Sequence, residues 1–275
     1  MKNKYSLSHR EEEPEQGVLY IVATPIGNLS DMSTRAINIL KRVDYIASED
    51  TRTTKKIMSR YNFQNALKSF NKINSANKIP NIVNDLKSDY SIALVSDAGM
   101  PLICDPGEEL VKICKQNNIE IIPIPGPCAA IAALVSSGFP SSRFVFEGFL
   151  PKKKVERQKI LKEISKCEKT TILFESPHRL RKLLKELLDY CGEEREIEVS
   201  RELTKKFEEH IGLTMINVID SFKEREPKGE FTIVIKGLKK SNNFKFNPSF
   251  LKEELHDLVD AGLTLSSASK YLAKK

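Results

Sequence analysis

Four carboxylates of this chain stand where reactive groups would be needed. Glu49, Asp50, Glu175 and Glu202 each fall at or just past the end of a strand-like apolar run, and Arg52, Arg201 and Lys205 lie close to them in sequence. A carboxylate so placed can accept a proton from a hydroxyl while a neighbouring cation steadies the developing charge. Asp50 and Glu202 are the candidate bases, with Arg52 and Lys205 as cationic partners. The same groups can equally be ion-paired supports, and the sequence leaves both readings open. No H-E-x-x-H, G-x-S-x-G or Ser/His/Asp ordering accompanies them. The five cysteines form no C-x-x-C pair, so neither a structural metal nor a disulfide framework is expected.

Such residues need rigid elements to aim them, and three loops supply the candidates. The run Val18–Ala23 breaks into Thr24-Pro25-Ile26-Gly27-Asn28-Leu29. Ser91–Val95 breaks into Ser96–Gly107, SDAGMPLICDPG, and Glu120–Ile124 into Pro125-Gly126-Pro127-Cys128-Ala129-Ala130. Each Pro/Gly loop follows a strand pattern and precedes a helical one. Ligands of open α/β sheets bind at such places, beyond the carboxyl ends of the strands. None of the three is G-x-G-x-x-G or G-x-x-x-x-G-K-[ST], so neither the dinucleotide nor the P-loop mechanism applies. Main-chain donors and acceptors lining a cleft suit a small polar cofactor, although a single loop of this kind is also an ordinary connection.

The elements around these loops alternate. Up to residue 137 short apolar strands and helices follow one another as β-α five times, which implies a mostly parallel sheet covered on both faces. One of these helices is expected to be capped by Ser30-Asp31. Beyond Gly138 strands are expected at 143–148, 170–175, 195–201 and 230–236, in a sheet with mixed or antiparallel pairing. The expected organisation is a disordered tail at 1–16, α/β domains at 17–138 and 139–237, a linker at 238–248 and a helical hairpin at 249–275, which resembles a helix-turn-helix. The 275 residues, 40% hydrophobic, suffice for these cores. No run approaches the roughly 18 to 20 apolar residues of a membrane span, and the first 16 residues lack the apolar region of a signal peptide. A cytoplasmic protein without a membrane partner is the expectation.

Net charge is +7, and the basic residues cluster. Lys152, Lys153, Lys154 and Arg157 crowd one helix start, Arg179, Arg181 and Lys182 another, and Arg201 and Lys205 follow a strand. Cations at helix starts oppose the helix dipole, so phosphate contacts explain them better than stability does. A solvated face is the alternative. Phe149 and Phe207 among these charges can stack bases, or belong to the core.

The segments LYIVATPIGNLSDMSTRA, IASEDTRTT, ALVSDAGMPLICDPG, IPGPCAAIAAL, RFVFEGFLPKK, ESPHRL and RELTKKFEE resemble, in order, the motifs of the ribosomal RNA small subunit methyltransferase I family of tetrapyrrole methylases. The resemblance spans residues 17–237. It implies two α/β domains with a cofactor cleft between them, a small C-terminal helical segment, S-adenosylmethionine as cofactor and a homodimer. It also implies 2′-O-methylation of a cytidine in the decoding region of 16S rRNA, the RNA being the partner. By the same resemblance Pro25 and Gly27, Asp97, Ala98, Gly99, Met100 and Pro101, and Gly126, Pro127, Cys128 and Ala129 would contact the cofactor. Two departures stand out. Met100 replaces a common Thr, and Asn71-Lys72-Ile73-Asn74 replaces a His-rich segment. The competing readings are a tetrapyrrole C-methyltransferase on the same scaffold and a non-catalytic RNA-binding assembly factor.

Overall fold

The strand β1 (Leu19–Val22) reads Leu-Tyr-Ile-Val, and all four residues are buried. Continuous burial of this kind requires cover on both faces of the sheet, and both covers exist. The computed structural model describes residues 13–239 and 248–274. In it β1, β2 (Tyr45–Ser48), β3 (Leu67–Ser69), β4 (Ile92–Val95) and β5 (Ile121–Ile124) form a parallel sheet in the order β3-β2-β4-β1-β5. Tyr20 and Val22 point to the face covered by α1 (Thr34–Arg42) and α2 (Thr51–Arg60). Leu19 and Ile21, the alternate positions, face α3 (Ser75–Lys87) and α4 (Glu108–Gln116).

The start of α1 differs from the sequence expectation. Ser33 caps the helix, its Oγ accepting the Ala36 N–H at 3.1 Å, while Leu29–Asp31 form a separate 3-10 turn. Ser30-Asp31 carries the right residue types for a cap, but Asn28 already holds that turn by accepting from the Ser30 N–H at 3.0 Å. Of the tail expected at 1–16, the structure describes only Glu13 onward. Glu13 is buried and takes a two-pronged pair from Arg35 at 2.5 and 2.7 Å, so the disorder expected for 1–16 does not extend to it. Residues 1–12 lie outside the described residues.

The second sheet contains β6 (Phe144–Phe149), β7 (Thr170–Glu175), β8 (Glu196–Arg201), β9 (Glu209–Thr214) and β10 (Phe231–Ile235), in the order β6-β7-β10-β8-β9. Of these neighbours β6 and β7 run parallel and the others antiparallel, so the sheet is mixed. One face carries α6 (Lys154–Lys166), α7 (Pro177–Cys191) and α8 (Met215–Ser221), packed through residues such as Leu161, Leu183 and Val218. The opposite face receives α5 (Ala129–Ser136), the helix that leaves the first sheet, with Ala133 and Leu134 against Ile172 and Val234. That shared helix joins the two lobes into one compact unit through Leu238.

A second unit begins at Lys239. It holds α9 (Pro248–Asp260) and α10 (Leu265–Lys274), separated by a turn in which Gly262 adopts φ +98° and Thr264 Oγ1 caps α10 by accepting the Ser267 N–H at 3.3 Å. The expected linker lies mostly outside the described residues, at 240–247.

Candidate active site

Seven strands end, and one begins, around a cavity of about 440 Å³. From the first lobe it is lined by Ile26 after β1, Glu49 after β2, the segment Asp97–Met100 after β4, and Cys128 and Ala129 at the start of α5. From the second lobe come Phe149, Phe174, Glu175, Ser176, Leu203 and the beginning of β10 at Glu230–Thr232. The volume lies within the range of small-ligand sites.

The central loop is held in a shape that few sequences adopt. Thr24 and Gly99 exchange main-chain hydrogen bonds at 2.9 and 3.0 Å, and Thr24 Oγ1 donates to Ser96 O at 3.1 Å. Gly99 has φ +83°, which a residue with a Cβ rarely takes. Leu102 (φ +74°) and Cys104 (φ +68°) occupy the same region without that freedom. Strain of this kind costs on the order of 1–3 kcal/mol per residue, and it persists where the surroundings over-determine the backbone.

Of the residues assigned to a cofactor by resemblance, Asp97, Ala98, Gly99, Met100, Cys128 and Ala129 line the cavity. Pro25, Gly27, Pro101, Gly126 and Pro127 do not. A Cβ on Gly126 would meet Ala23 Cβ at 2.8 Å, and one on Gly27 would overlap the Lys205 side chain. Gly126 and Gly27 are therefore sites of close approach between chain segments.

The two candidate bases are placed differently from what their sequence positions suggest. Asp50 caps α2 and accepts from the Arg52 side chain at 2.6 to 3.0 Å and from its N–H at 2.8 Å. Those hydrogen bonds from Arg52 hold the Asp50 carboxyl down at about 2. Glu202 accepts from Lys205 Nζ at 2.8 Å and from the Glu230 N–H at 3.0 Å. Burial works to raise its pKa, but the Lys205 and Glu230 hydrogen bonds prevail and hold it low. Both are supported anions, weak as proton acceptors, and neither lines the cavity. Five other carboxylates do line it, Glu49, Asp97, Asp105, Glu175 and Glu230, and the first three are shifted. Burial raises those three, with Asp105 adding to the rise at Glu49 and Asp50 to that at Asp97. Glu49 and Asp97 are linked: the Asp97 N–H donates to Glu49 Oε2 at 3.3 Å, and Asp97 Oδ1 also accepts the Asp50 N–H at 3.1 Å.

The basic cluster divides into supports and exposed lysines. Arg157 is buried, with Nε on Glu186 at 2.7 Å and Nη2 3.9 Å from Glu175, so it is not presented to a polyanion. Arg179 donates to Leu150 O at 2.7 Å, Arg181 to Arg225 O at 3.1 Å, and Arg201 to Lys228 O at 2.6 Å. Guanidinium groups can brace several backbone carbonyls at once, and here they brace the second lobe. Lys152, Lys153, Lys154 and Lys182 are exposed.

Residues 18–217, which include the three Pro/Gly loops, match the family model described as Tetrapyrrole (Corrin/Porphyrin) Methylases. The chain is 46% identical over 259 residues to the ribosomal RNA small subunit methyltransferase I of Synechocystis sp., covering 94% of this chain and 93% of that one. The protein of the same name from Bacillus subtilis is 42% identical over 266 residues, covering 94% and 90%. The chain belongs to the ribosomal RNA small subunit methyltransferase I family. Among solved structures, cobalt precorrin-4 methyltransferase aligns with a TM-score of 0.58 at 15% identity, over 80% of this chain and 95% of that one. The uroporphyrin-III C-methyl transferase of Thermus thermophilus complexed with S-adenyl homocysteine gives 0.55 at 15%, over 78% and 96%. These share the fold of two α/β lobes.

Several cavity residues of this family member escaped the sequence assignment. Glu49 carried a signal, as one of the four strand-end carboxylates. Glu230 and Thr232 carried none, because they begin a strand, and only its antiparallel pairing with β7 and β8 brings that beginning to the cavity. Asp105 lies in the central loop, but the left-handed turns at Leu102 and Cys104 that precede it are not written in residue type.

Proposed function

We propose that this chain transfers a methyl group from S-adenosylmethionine to small-subunit ribosomal RNA, at the ribose 2′-hydroxyl of a cytidine in the decoding region. The supporting observation is the cavity at which the loops after β1, β4 and β5 meet, opposite a second-lobe wall whose strand β6 leads into exposed Lys152–Lys154. The residues present fit the donor. Ala98, Gly99 and Ala129 leave room for it, and no side chain among the described residues caps the start of α5, so main-chain N–H groups there are available to a polar ligand. Asp97–Met100, Cys128 and Ala129 would hold it. When bound, it supplies an electrophilic methyl group on a sulfonium centre.

The remaining work falls to the chain itself. A ribose hydroxyl is a weak acid, and its proton has to leave as the new bond forms. Glu49 is suited to receive it, since Oε2 is fixed by the Asp97 N–H, and burial with Asp105 strengthens the carboxylate as a base. Asp97 orients Glu49 and also holds the Asp50 N–H. The walls fix the approach of the two reactants, which accounts for much of the rate in a reaction of this type. The lysines attract phosphate, giving a salt-dependent affinity.

Methyl transfer to undermodified small ribosomal subunits, set against transfer to a tetrapyrrole precursor, separates this reading from a small-substrate methylase. Loss of a ribose methyl from 16S rRNA in cells lacking the protein supports it. An unchanged methylation map removes it. A cytoplasmic location and pairing of two copies accompany the proposal. Ile131 and Val135, one turn apart on α5 and both exposed, offer an apolar strip for that pairing.

A further inference from the structure

Strand β6 contains a bulge, and the bulge aims an aromatic ring. In its parallel pairing with β7, Phe146 stands opposite Ile172 and Gly148 opposite Leu173, so one extra residue is inserted between Phe146 and Gly148. Side chains three apart in a regular strand point to opposite faces. The inserted residue reverses that parity for everything after it. Phe149 therefore emerges on the same face as Phe146, and both rings pack against Phe174, with centroids 5.1 Å (Phe146) and 5.7 Å (Phe149) from it. Gly148 makes the bulge possible, with φ +60° and a Cβ position that would lie 2.8 Å from Cys104 Sγ. That close approach sets the end of β6 against the central loop of the first lobe.

Phe174 forms part of the cavity wall, and Phe149 sits at its lip with 53% of its surface exposed. An isolated exposed phenylalanine needs no explanation. This one is rotated into place by a backbone irregularity, backed by a second ring, and followed three residues later by three consecutive exposed lysines. Aromatic faces beside cations are the common means of holding unpaired nucleotides, the ring stacking the base and the cations meeting the phosphates.

We propose that Phe149 is the platform on which the base of the acceptor nucleotide stacks, with Lys152–Lys154 holding the adjoining phosphates. This rests on the RNA-methylating reading above and adds the residue that seats the substrate. Two heteroaromatic rings have the chemistry to use the platform, the acceptor base and the adenine of the donor. The acceptor base is assigned because Phe149 lies on the wall that continues into the lysines. The small residues suited to the donor, Ala98, Gly99 and Ala129, belong to the opposite lobe.

The test uses the full chain and its Phe149→Leu and Phe149→Trp variants, with a fluorescein-labelled RNA hairpin carrying cytidines in a single-stranded loop. Fluorescence anisotropy reads RNA affinity, and calorimetry reads S-adenosylmethionine affinity. Phe149→Leu is expected to weaken RNA binding roughly tenfold or more, as loss of one base stack does. Phe149→Trp is expected to bind RNA within about twofold of the parent. Donor affinity is expected to stay unchanged in both, which also reports that the fold is intact. RNA affinity unaltered by Phe149→Leu overturns the proposal, as does a selective loss of donor binding. Failure of the underlying reading shows separately, in a parent chain that binds RNA normally yet transfers no methyl group to small subunits. A parent chain that takes up no RNA overturns both.

Discussion

The side chain of Lys205 lies directly across Gly27, and the two residues belong to different lobes. A Cβ on Gly27 would overlap Lys205 Cγ and approach Thr204 Oγ1 at 3.0 Å and Leu203 O at 3.1 Å. Beside this contact the Asn28 N–H donates to Thr204 Oγ1 at 3.1 Å. Lys205 also bridges Glu202 and Glu230 at 2.8 and 2.9 Å. The first Pro/Gly loop thus meets the loop after β8 at a seam beside the cavity. Gly27→Ala is expected to push these segments apart, lowering stability by about 1–3 kcal/mol through overpacking. It should also lower kcat/KM, read by urea unfolding and methyl-transfer kinetics.

Glu49 and Asp97 have raised carboxyl pKa values, led by burial, and the sign of the linkage follows. Folding disfavours their ionised forms, so the penalty is present above their folded pKa values and vanishes below the ordinary carboxyl range near 4. Glu49→Gln keeps an acceptor for the Asp97 N–H but removes the charge. It should raise the thermal midpoint at pH 7, give no such gain at pH 3, and lower kcat by roughly 10²–10⁴-fold. The parent's activity should fall as acidification protonates Glu49, with an acid limb above the usual carboxyl range. Parental kcat in the Glu49→Gln variant contradicts the assignment.

Asp50 presents the opposite case. The Arg52 hydrogen bonds hold its carboxyl at about 2, so its contribution to stability is complete above the ordinary carboxyl range and is lost as pH falls through about 2. Asp50→Asn retains a capping oxygen for the Arg52 N–H and gives up the ion pair. Its kcat should remain within about tenfold of the parent, well short of the loss of a base. A loss as large as that of Glu49→Gln returns the basic role to Asp50.

Arg157 and the exposed lysines separate structure from RNA affinity. Arg157→Met removes the buried partner of Glu186 and leaves Glu175 with Arg179 alone, at 3.3 Å, so it should cost about 3 kcal/mol in urea unfolding. The salt slope of RNA binding should stay as it was. Replacing Lys152, Lys153 and Lys154 by Ser should leave stability nearly unchanged. It should reduce the slope of log K against log salt by up to about 2 for single-stranded contacts.

The legible parts of this chain were those governed by local rules. Apolar runs marked four of the five parallel strands, all but Leu67–Ser69, and three of them break into the Pro/Gly loops that meet at the cavity, because burial on both faces leaves a strand little but apolar residues. The role of α5 was not legible, since its apolar residues give no sign of which sheet they cover, and they cover the second. Strand β9 escaped too. Glu209–Thr214 contains a Gly and is half-exposed, as an edge strand paired only with β8 can be. At the site, residue type left Asp50 and Glu202 open between base and ion-paired support. Asp50 and Glu202 have the residue type of a base, but Arg52 lies two residues from one and Lys205 three from the other, close enough to neutralise them. Arg157 looked like a phosphate contact because its acids, Glu175 and Glu186, arrive from β7 and α7, far along the chain.

The cavity wall is divided between halves of the polypeptide that are synthesised far apart in time, with Ile26 near one end and Thr232 near the other. A nascent chain therefore has no complete receptor for its ligands until the central strand β10, last of the ten to emerge, has slotted between β7 and β8. Any small molecule gripping both walls must then act as a clasp on the finished fold, so that occupancy itself resists unfolding and proteolysis of the whole two-lobed body.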